Sequence, residues 1–340
     1  MTRLLLAGDH FVTADALSRE VAAACPDYAL ESRHIDLPWP IVPFGAVADV
    51  DEASGSEDDM IAALAGVEIC VTQMAPFTRR VIEAADALKL ICVTRGGPVN
   101  VNLEAAREKG IAVCAAPGRN AVATAEHTIA LMLAALRQIP ARHADIMSGD
   151  WRSDYYTFDQ SGFELGGTTV GLVGYGAVGR IVARILRGFD AKILVYDPFA
   201  KIGSEDGVEK IADLNDLLPQ TKVISLHARL SPQTRNMVAA KQIARLPHGS
   251  VLVNAARGAL LDYDAVCDAL DSRHLAAAAF DVFPQEPLPV SSRLRSTPNI
   301  VMTPHLAGAT KETAERAARI AAGQVLAWLN GREPPFRVGA

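Results

Sequence analysis

A chain of 340 residues exceeds what one compact core ordinarily holds and suits two domains. Half of it is hydrophobic and 21% is charged, with Gly and Pro spread throughout, which excludes disordered, collagen-like and fibrous classes. The net charge of -6, without any Lys/Arg-dense run, excludes a nucleic-acid partner, because phosphate binding needs a concentrated positive field.

Met1–Leu6 is too short and too lightly charged for a secretory signal. The best apolar run, Ile129–Leu136, stops at Arg137, well short of a membrane span, so no membrane association is expected. Cys25, Cys70, Cys92, Cys114 and Cys267 are odd in number and widely spaced, which reads as reduced core thiols of a cytoplasmic protein. No Cys/His spacing resembles a metal site, and none is expected.

Short Val/Ile-rich runs alternate with helical patterns, which predicts an α/β fold with parallel sheets. In the first third, strands are expected at Leu4–Ala7, Glu68–Val71, Leu90–Val93 and Ile111–Cys114, with helices at Thr78–Ala87 and Leu103–Lys109. Pro38–Ser56 is rich in Pro, Gly and Asp and reads as a loop. A long helix is predicted from Ala123 to Ile139, ended or kinked by Pro140. Ser148–Leu165 reads as irregular, its aromatics serving as packing anchors or oligomer contacts. Further strands follow at Thr169–Val173, Lys192–Tyr196, Val223–Leu226, Ser250–Asn254, Leu275–Phe280 and Ile300–Met302. The intervening helices include one from the glycine turn to about Phe189 and one at Tyr263–Leu270, and Lys311–Leu329 closes the chain.

Gly174-Tyr-Gly176-Ala-Val-Gly179 follows a Val-rich strand and opens an amphipathic helix. Gly174 suits a tight turn, Gly176 a close approach by pyrophosphate, and Gly179 close helix–strand packing. The helix start adds free N–H groups and a positive dipole. Asp197 ends the next strand, where it can accept hydrogen bonds from a ribose and repel a 2′-phosphate, favouring NAD over NADP. Against that stand a plain Asp197-Pro198 turn, and Arg229 and Lys201, which leave NADP possible.

Arg257, Glu286 and His305 each stand just beyond a predicted strand, at the edge where open α/β sheets bind ligands. Arg offers two-pronged donation to a carboxylate, and His titrates near neutrality. A neighbouring carboxylate favours the imidazolium. Taken singly, each could be a surface turn, a loop acid or a helix start; their joint placement points to acid–base chemistry on a keto acid.

Five segments then resemble the D-isomer-specific 2-hydroxyacid dehydrogenase family. They are Pro117–His127, Val170–Gly179, Val253–Gly258, Asp281–Pro287 and Thr303–Thr310, in an order that extends the likeness from about Gly66 to Asn330. The first 65 residues carry little of it. The resemblance implies that Arg257 orients substrate, His305 is the acid/base, Glu286 is its partner, and Asp281 lies near the nicotinamide. The cofactor set it implies is Gly174, Tyr175, Gly176, Ala177, Val178, Gly179, Asp197, Pro198, His227, Ala228, Thr234, Ala255, Asp281 and His305. It also implies two Rossmann-like or flavodoxin-like domains, a discontinuous substrate domain of residues 1–119 plus 306–340, and an NAD-binding domain of 120–305. A homodimer built through Ala123–Trp151 and a cleft that closes on ligand belong to the same expectation. Glu286 disfavours formate oxidation, since formate-oxidising relatives place Gln there.

The sequence departs from the family at Arg95-Gly96-Gly97-Pro98-Val99-Asn100, where relatives carry Gly-x-Gly-x-Asp-Asn to hold the substrate carboxylate. Arg95 replaces the first glycine and Val99 the Asp. Arg95, Gly96 and Gly97, with Arg257 and His305, form the expected substrate-binding set. Arg95 either reads a phosphate, a second carboxylate or a sugar-acid hydroxyl, or turns outward to solvent or makes a structural ion pair. The expected reaction is NAD(H)-dependent interconversion of a D-2-hydroxy acid and its 2-keto acid, of the hydroxypyruvate, glyoxylate, phosphoglycerate or sugar-acid type. Rival readings are a non-catalytic NAD-sensing protein and a phosphite dehydrogenase. The chain ends at Ala340 without room for an appended regulatory domain, which disfavours the long type of phosphoglycerate dehydrogenase.

Overall fold

The computed structural model describes residues 1–339, which separate into two compact units. The first is Met1–Asn120 together with the chain from Ala309 onward; the second is Ala121–Gly308. The second boundary falls at Gly308 rather than at His305, because Asp281 binds the N–H groups of Leu306 and Ala307 and keeps them with the second unit.

The first unit is built on strands β1 (Thr2–Gly8), β2 (Leu30–Asp36), β5 (Ile69–Thr72), β6 (Leu90–Val93) and β7 (Ala112–Cys114), with a small hairpin, β3 (Gly45–Val47) and β4 (Val50–Ala53). Helices α1 (Ala14–Ala24), α2 (Glu57–Ala63), α3 (Arg79–Ala84) and α4 (Leu103–Glu108) connect them. The parallel sheet runs β7-β6-β5-β1-β2, and Arg337–Val338 adds an antiparallel edge beside β7. Leu4, Leu5 and Leu6 are fully buried because β1 is central and covered on both faces, the usual state of parallel strands. The closing helix, Lys311–Leu329, lays Ala314, Ala317, Ala318 and Ala321 against Leu4, Leu6, Val12 and Leu17.

Part of this unit escaped sequence reading. The segment Pro38–Ser56, expected as loop, contains the β3–β4 hairpin. Strand β2 reads Leu-Glu-Ser-Arg-His-Ile-Asp and is mostly exposed, so it lacks an apolar signal. Helix α1 starts at Thr13, whose side chain accepts from the Ala16 N–H. The helix expected over Thr78–Ala87 is shorter, ending at Ala84, with Thr78 as its cap.

The second unit holds seven parallel strands: β8 (Thr169–Val173), β9 (Lys192–Tyr196), β10 (Glu209–Lys210), β11 (Val223–Leu226), β12 (Ser250–Asn254), β13 (Leu275–Phe280) and β14 (Ile300–Met302). Its helices are α5 (Ala121–Arg137), α6 (Ile139–Ser148), α7 (Ala177–Arg187), α8 (Leu214–Leu217), α9 (Ala240–Ile243) and α10 (Tyr263–Asp271). The order β10-β9-β8-β11-β12-β13-β14 reverses direction between β8 and β11, the switch point of a doubly wound sheet. The long helix expected to reach Ile139 instead ends at Arg137. Gln138 turns the chain at φ 50°, and a second helix begins, with Pro140 near its start where a missing N–H costs nothing. Ser148–Leu165 carries two short 3-10 turns, with Trp151, Tyr156 and Phe158 exposed. No helix among the described residues is long and apolar enough to cross a membrane.

The alanine face of the closing helix admits no larger side chain. Ala318→Leu should overpack it and cost roughly 1–3 kcal/mol, read as a lower urea midpoint; an unchanged midpoint would show that the helix does not pack as described.

Candidate active site

The switch point of the second sheet forms a glycine-lined crevice. Gly174, one residue past β8, has φ 101°, and a Cβ there would sit 2.6 Å from the Ala228 nitrogen and the His227 carbonyl carbon. A Cβ on Gly179 would meet the Gly174 oxygen at 2.5 Å, so helix α7 approaches the turn as only glycine permits. Gly176 is different: a Cβ there meets nothing within 4 Å, and this N-cap residue supplies no side-chain cap to the helix. Open space therefore faces an uncapped helix start, which suits an anion.

Asp197 organises the rim of this crevice. Its Oδ2 accepts from the Tyr175 N–H at 2.8 Å, while Oδ1 accepts from Phe199 and Ala200 at 2.9 and 3.0 Å. The carboxylate is thus fixed beside the glycine turn with one acceptor site, on Oδ2, left for a hydroxyl. Pro198 and Phe199 are exposed beyond it. Across the switch point, His227 bonds Ser225 at 3.0 Å, and burial pushes its imidazole down to about 4, so it is neutral at pH 7. Ala228 is half-buried, and Ala255 is buried beyond β12. Thr234 closes a turn, its hydroxyl donating to the Arg229 carbonyl at 2.7 Å. These residues fit an adenine dinucleotide: an anion-accepting helix start, an acid for the ribose and apolar walls.

Arg257, Glu286 and His305 follow the adjacent strands β12, β13 and β14. His305 Nδ1 lies 2.5 Å from Glu286 Oε2, and Glu286 Oε1 accepts from the Phe283 N–H at 2.9 Å. With Nδ1 engaged, Nε2 has no partner among the described residues, and the His305 side chain is 47% exposed. The hydrogen bond that His305 gives to Glu286 is the largest influence on its pKa and raises it, against an opposing effect of burial. Glu286 is lowered overall: burial pushes its carboxyl up, but the bond and charge of His305 outweigh that. Arg257 is exposed and near enough to act electrostatically on both.

Several residues hold this set in place. Asp281, expected near the nicotinamide, is 1% exposed and anchors the His305 turn. It accepts from Thr303 Oγ1 at 2.6 Å, Leu306 N at 2.9 Å and Ala307 N at 2.8 Å. His305 between them adopts φ 52°, a left-handed conformation that costs a non-glycine residue about 1 kcal/mol or more. Asn254 donates to the Arg257 carbonyl at 3.0 Å and accepts from the Ala256 N–H at 3.0 Å, while Tyr263 donates to Val282 O at 2.5 Å. Gly258 is required by packing: a Cβ there would collide with the Phe283 carbonyl, so the Arg257 and Glu286 loops press directly together.

His127, on α5, was missed as a site residue, although it ends the Pro117–His127 motif. Its Nε2 lies 2.9 Å from Thr303 Oγ1 and 3.7 Å from Asp281 Oδ1. Since Thr303 gives its proton to Asp281, His127 is the donor to Thr303. Asn254 and Tyr263 were also missed, because an internal Asn or Tyr carries no spacing signal.

The remaining expected residues, Arg95, Gly96 and Gly97, belong to the first unit. Arg95 pairs with Glu52 on β4 and points a second nitrogen at Met74 Sδ, 3.3 Å away. A Cβ on Gly96 or Gly97 would meet nothing within 4 Å, so this backbone is open.

The chain is similar to known proteins over most of its length. Residues 129–307 match the model of the D-isomer specific 2-hydroxyacid dehydrogenase, NAD binding domain. The chain is 36% identical over 289 residues to a D-3-phosphoglycerate dehydrogenase of Methanocaldococcus jannaschii, covering 84% of this chain and 54% of that protein. It is 33% identical to a glyoxylate reductase of Korarchaeum cryptofilum, covering 84% of this chain and 86% of that one. The crystal structure of the TT0316 protein from Thermus thermophilus superposes with a TM-score of 0.81 at 31% identity, covering 99% of this chain and 100% of that one. The chain belongs to the D-isomer specific 2-hydroxyacid dehydrogenase family, and its second unit is an NAD-binding domain. It spans about half the length of the phosphoglycerate dehydrogenase relatives it matches.

Replacing Glu286 by Gln removes the charge that stabilises the His305 imidazolium. In an NMR titration of the histidine rings, the His305 resonance should titrate above the ordinary value of 6.5 in the parent. In Glu286→Gln it should move to lower pH; coincident curves would deny the coupling.

Proposed function

We propose that this protein is an NAD(H)-dependent oxidoreductase interconverting a D-2-hydroxy acid and its 2-keto acid. The observation that carries the reading is the 2.5 Å contact between His305 Nδ1 and Glu286, which leaves Nε2 unpartnered beside Arg257 on adjacent strands. A nicotinamide dinucleotide, held at the open helix start by Gly176 and beside Asp197, would supply the hydride for reduction of the carbonyl carbon and accept it in the reverse direction.

This chain's residues handle the acid and the proton. In reduction, His305 Nε2 gives its proton to the carbonyl oxygen, and Glu286 stabilises the imidazolium before that transfer. In oxidation the neutral ring takes the proton from the hydroxyl, Nδ1–H remaining on Glu286. Arg257, exposed and without a carboxylate partner among the described residues, binds the substrate carboxylate with two N–H groups. The open backbone at Gly96 and Gly97 supports carboxylate binding by that loop as well. Asp197 beside the glycine turn supports NAD in preference to NADP, since a 2′-phosphate would meet a fixed carboxylate. The family relationship and the intact Arg/Glu/His set support catalysis over a purely NAD-sensing role.

A screen of 2-keto acids with NADH and NADPH, followed by nicotinamide absorbance, tests the reading. Turnover should appear with NADH in preference to NADPH. His305→Asn should lower kcat roughly 100- to 10,000-fold while NADH binding, read by fluorescence, persists. Near-full turnover in that variant would refute the assigned role, and turnover of phosphite alone would refute the substrate class.

A homodimer through the α5–α6 region belongs to the same proposal. Helix α6 has no buried residue, and Ile139, Ile146, Met147 and Trp151 are exposed along it and just after it. Large apolar side chains exposed on a helix with no buried face suit a partner copy. The buried, free cysteines support a reducing compartment, the cytoplasm. Light scattering should give a dimer mass, and Ile146→Glu combined with Trp151→Glu should give the monomer; an unchanged mass would remove this interface.

A further inference from the structure

The rim of the cofactor crevice carries a charged cluster that the proposed chemistry leaves unused. The loop after β9, residues 197–208, begins at Asp197 and contains a short 3-10 turn at Ser204–Asp206. Arg180 of α7, one residue past Gly179, reaches this loop. Its Nη2 donates to the Lys201 carbonyl at 2.8 Å, and its Nη1 to Asp206 Oδ1 at 2.9 Å. The same guanidinium lies over the Tyr175 ring, 4.5 Å from its centroid. Tyr175 is the residue whose N–H binds Asp197, so one side chain links Arg180 to the acid that fits the ribose.

Asp206 is held from three sides. Besides Arg180, it accepts from the Gly203 N–H at 2.9 Å and from the Tyr175 hydroxyl at 3.3 Å, and its side chain is 18% exposed. An exposed ion pair is ordinarily weak, because two mobile side chains must be ordered against water. Here neutral donors already order the carboxylate, and an aromatic face already seats the guanidinium, so pairing loses less entropy.

A 2′-phosphate adds negative charge where NAD has a hydroxyl, and in this fold an Arg beside the ribose accommodates it. Arg180 is such an Arg, with a planar fork suited to phosphate, but Asp206 and the Lys201 carbonyl engage both of its terminal nitrogens. Other cations of the rim are also occupied: Arg187 donates to the Asp206 carbonyl at 3.2 Å, and Lys210 to the Ala200 carbonyl at 2.8 Å. Lys201 and Arg229 are exposed, and neither side chain has a partner among the described residues.

We propose that Asp206 is a specificity-determining residue: it withholds Arg180 from a 2′-phosphate and so adds to the preference for NAD over NADP. This rests on the ribose lying beside Asp197, as proposed above, and needs nothing from the keto-acid chemistry.

Binding of NADH and NADPH to the full chain, followed by nicotinamide fluorescence with no acid present, tests it. Asp206→Asn removes the charge and keeps an acceptor for the Gly203 N–H. In that variant the Kd for NADPH should fall roughly tenfold, the worth of one charge-assisted bond, while the Kd for NADH stays within about twofold. Adding Arg180→Gln should abolish the gain, and Asp206→Glu, which restores the charge, should bind NADPH as weakly as the parent. Equal loss of affinity for both cofactors would make Asp206 a plain support of the loop and overturn the proposal. So would an unchanged NADPH affinity in the folded variant, or a gain that survives Arg180→Gln, since Lys201 or Arg229 would then read the phosphate. Asp206→Ser, also uncharged, carries the same expectation should the Asn variant not fold. A parent that binds NADH and NADPH alike would remove the preference read from Asp197, and the shift in the variant would still decide the role of Asp206. Selective binding without turnover of any keto acid would remove the enzymatic reading and leave this one.

Discussion

The second unit depends on one buried carboxylate. Asp281 takes three donors from the turn after β14: the Thr303 hydroxyl and the N–H groups of Leu306 and Ala307. Those bonds compensate the desolvation of the acid, and they force His305 into a left-handed backbone. A strained, over-determined turn of this kind holds the imidazole against Glu286 rather than letting it sample solvent. Gly258 and Asn254 do the same for Arg257, the one by close contact with Phe283, the other by hydrogen bonds to the loop. Three candidate side chains beyond three strands are thereby fixed by backbone contacts, which tolerate little drift.

The two units treat buried polarity differently. In the second, every buried side-chain polar atom among the described residues has a partner, and the open features are backbone ones: the uncapped start of α7 and the space at Gly176. Such a surface suits a cofactor bound through phosphates and ribose. In the first, unsatisfied side-chain atoms gather where the strands end. A buried polar group left unsatisfied costs about 1–3 kcal/mol.

What the sequence revealed follows from where the signal is physical. Strands β8, β9, β11, β12, β13 and β14 lie where their apolar runs predict, because buried parallel strands are apolar on both faces. The glycine turn was legible because each glycine answers a steric demand now measurable as a forbidden Cβ contact or an open one. Strand β2 was not, since a polar edge strand has no alternation to read. The break at Gln138 was misplaced because Pro140 was taken as the terminator, whereas the chain turns two residues earlier and Pro140 opens α6. In the site, Arg257, Glu286 and His305 could be named from charge and position. The anchoring role of Asp281, and the contributions of His127, Asn254 and Tyr263, depend on contacts between loops distant in sequence. Arg95 shows the limit of reading a cation by type: it faces Glu52 of the hairpin that was read as loop.

The account turns on a carboxylate-backed imidazole as the proton donor, and the pH dependence of kcat/KM for keto-acid reduction by NADH tests that most directly. The rate should fall with rising pH through a limb lying above 6.5, the ordinary value for histidine, since the hydrogen bond to Glu286 raises His305 and the donor must be protonated. In Glu286→Gln that limb should move to lower pH with a smaller plateau. A limb at the same pH in both proteins would contradict the account.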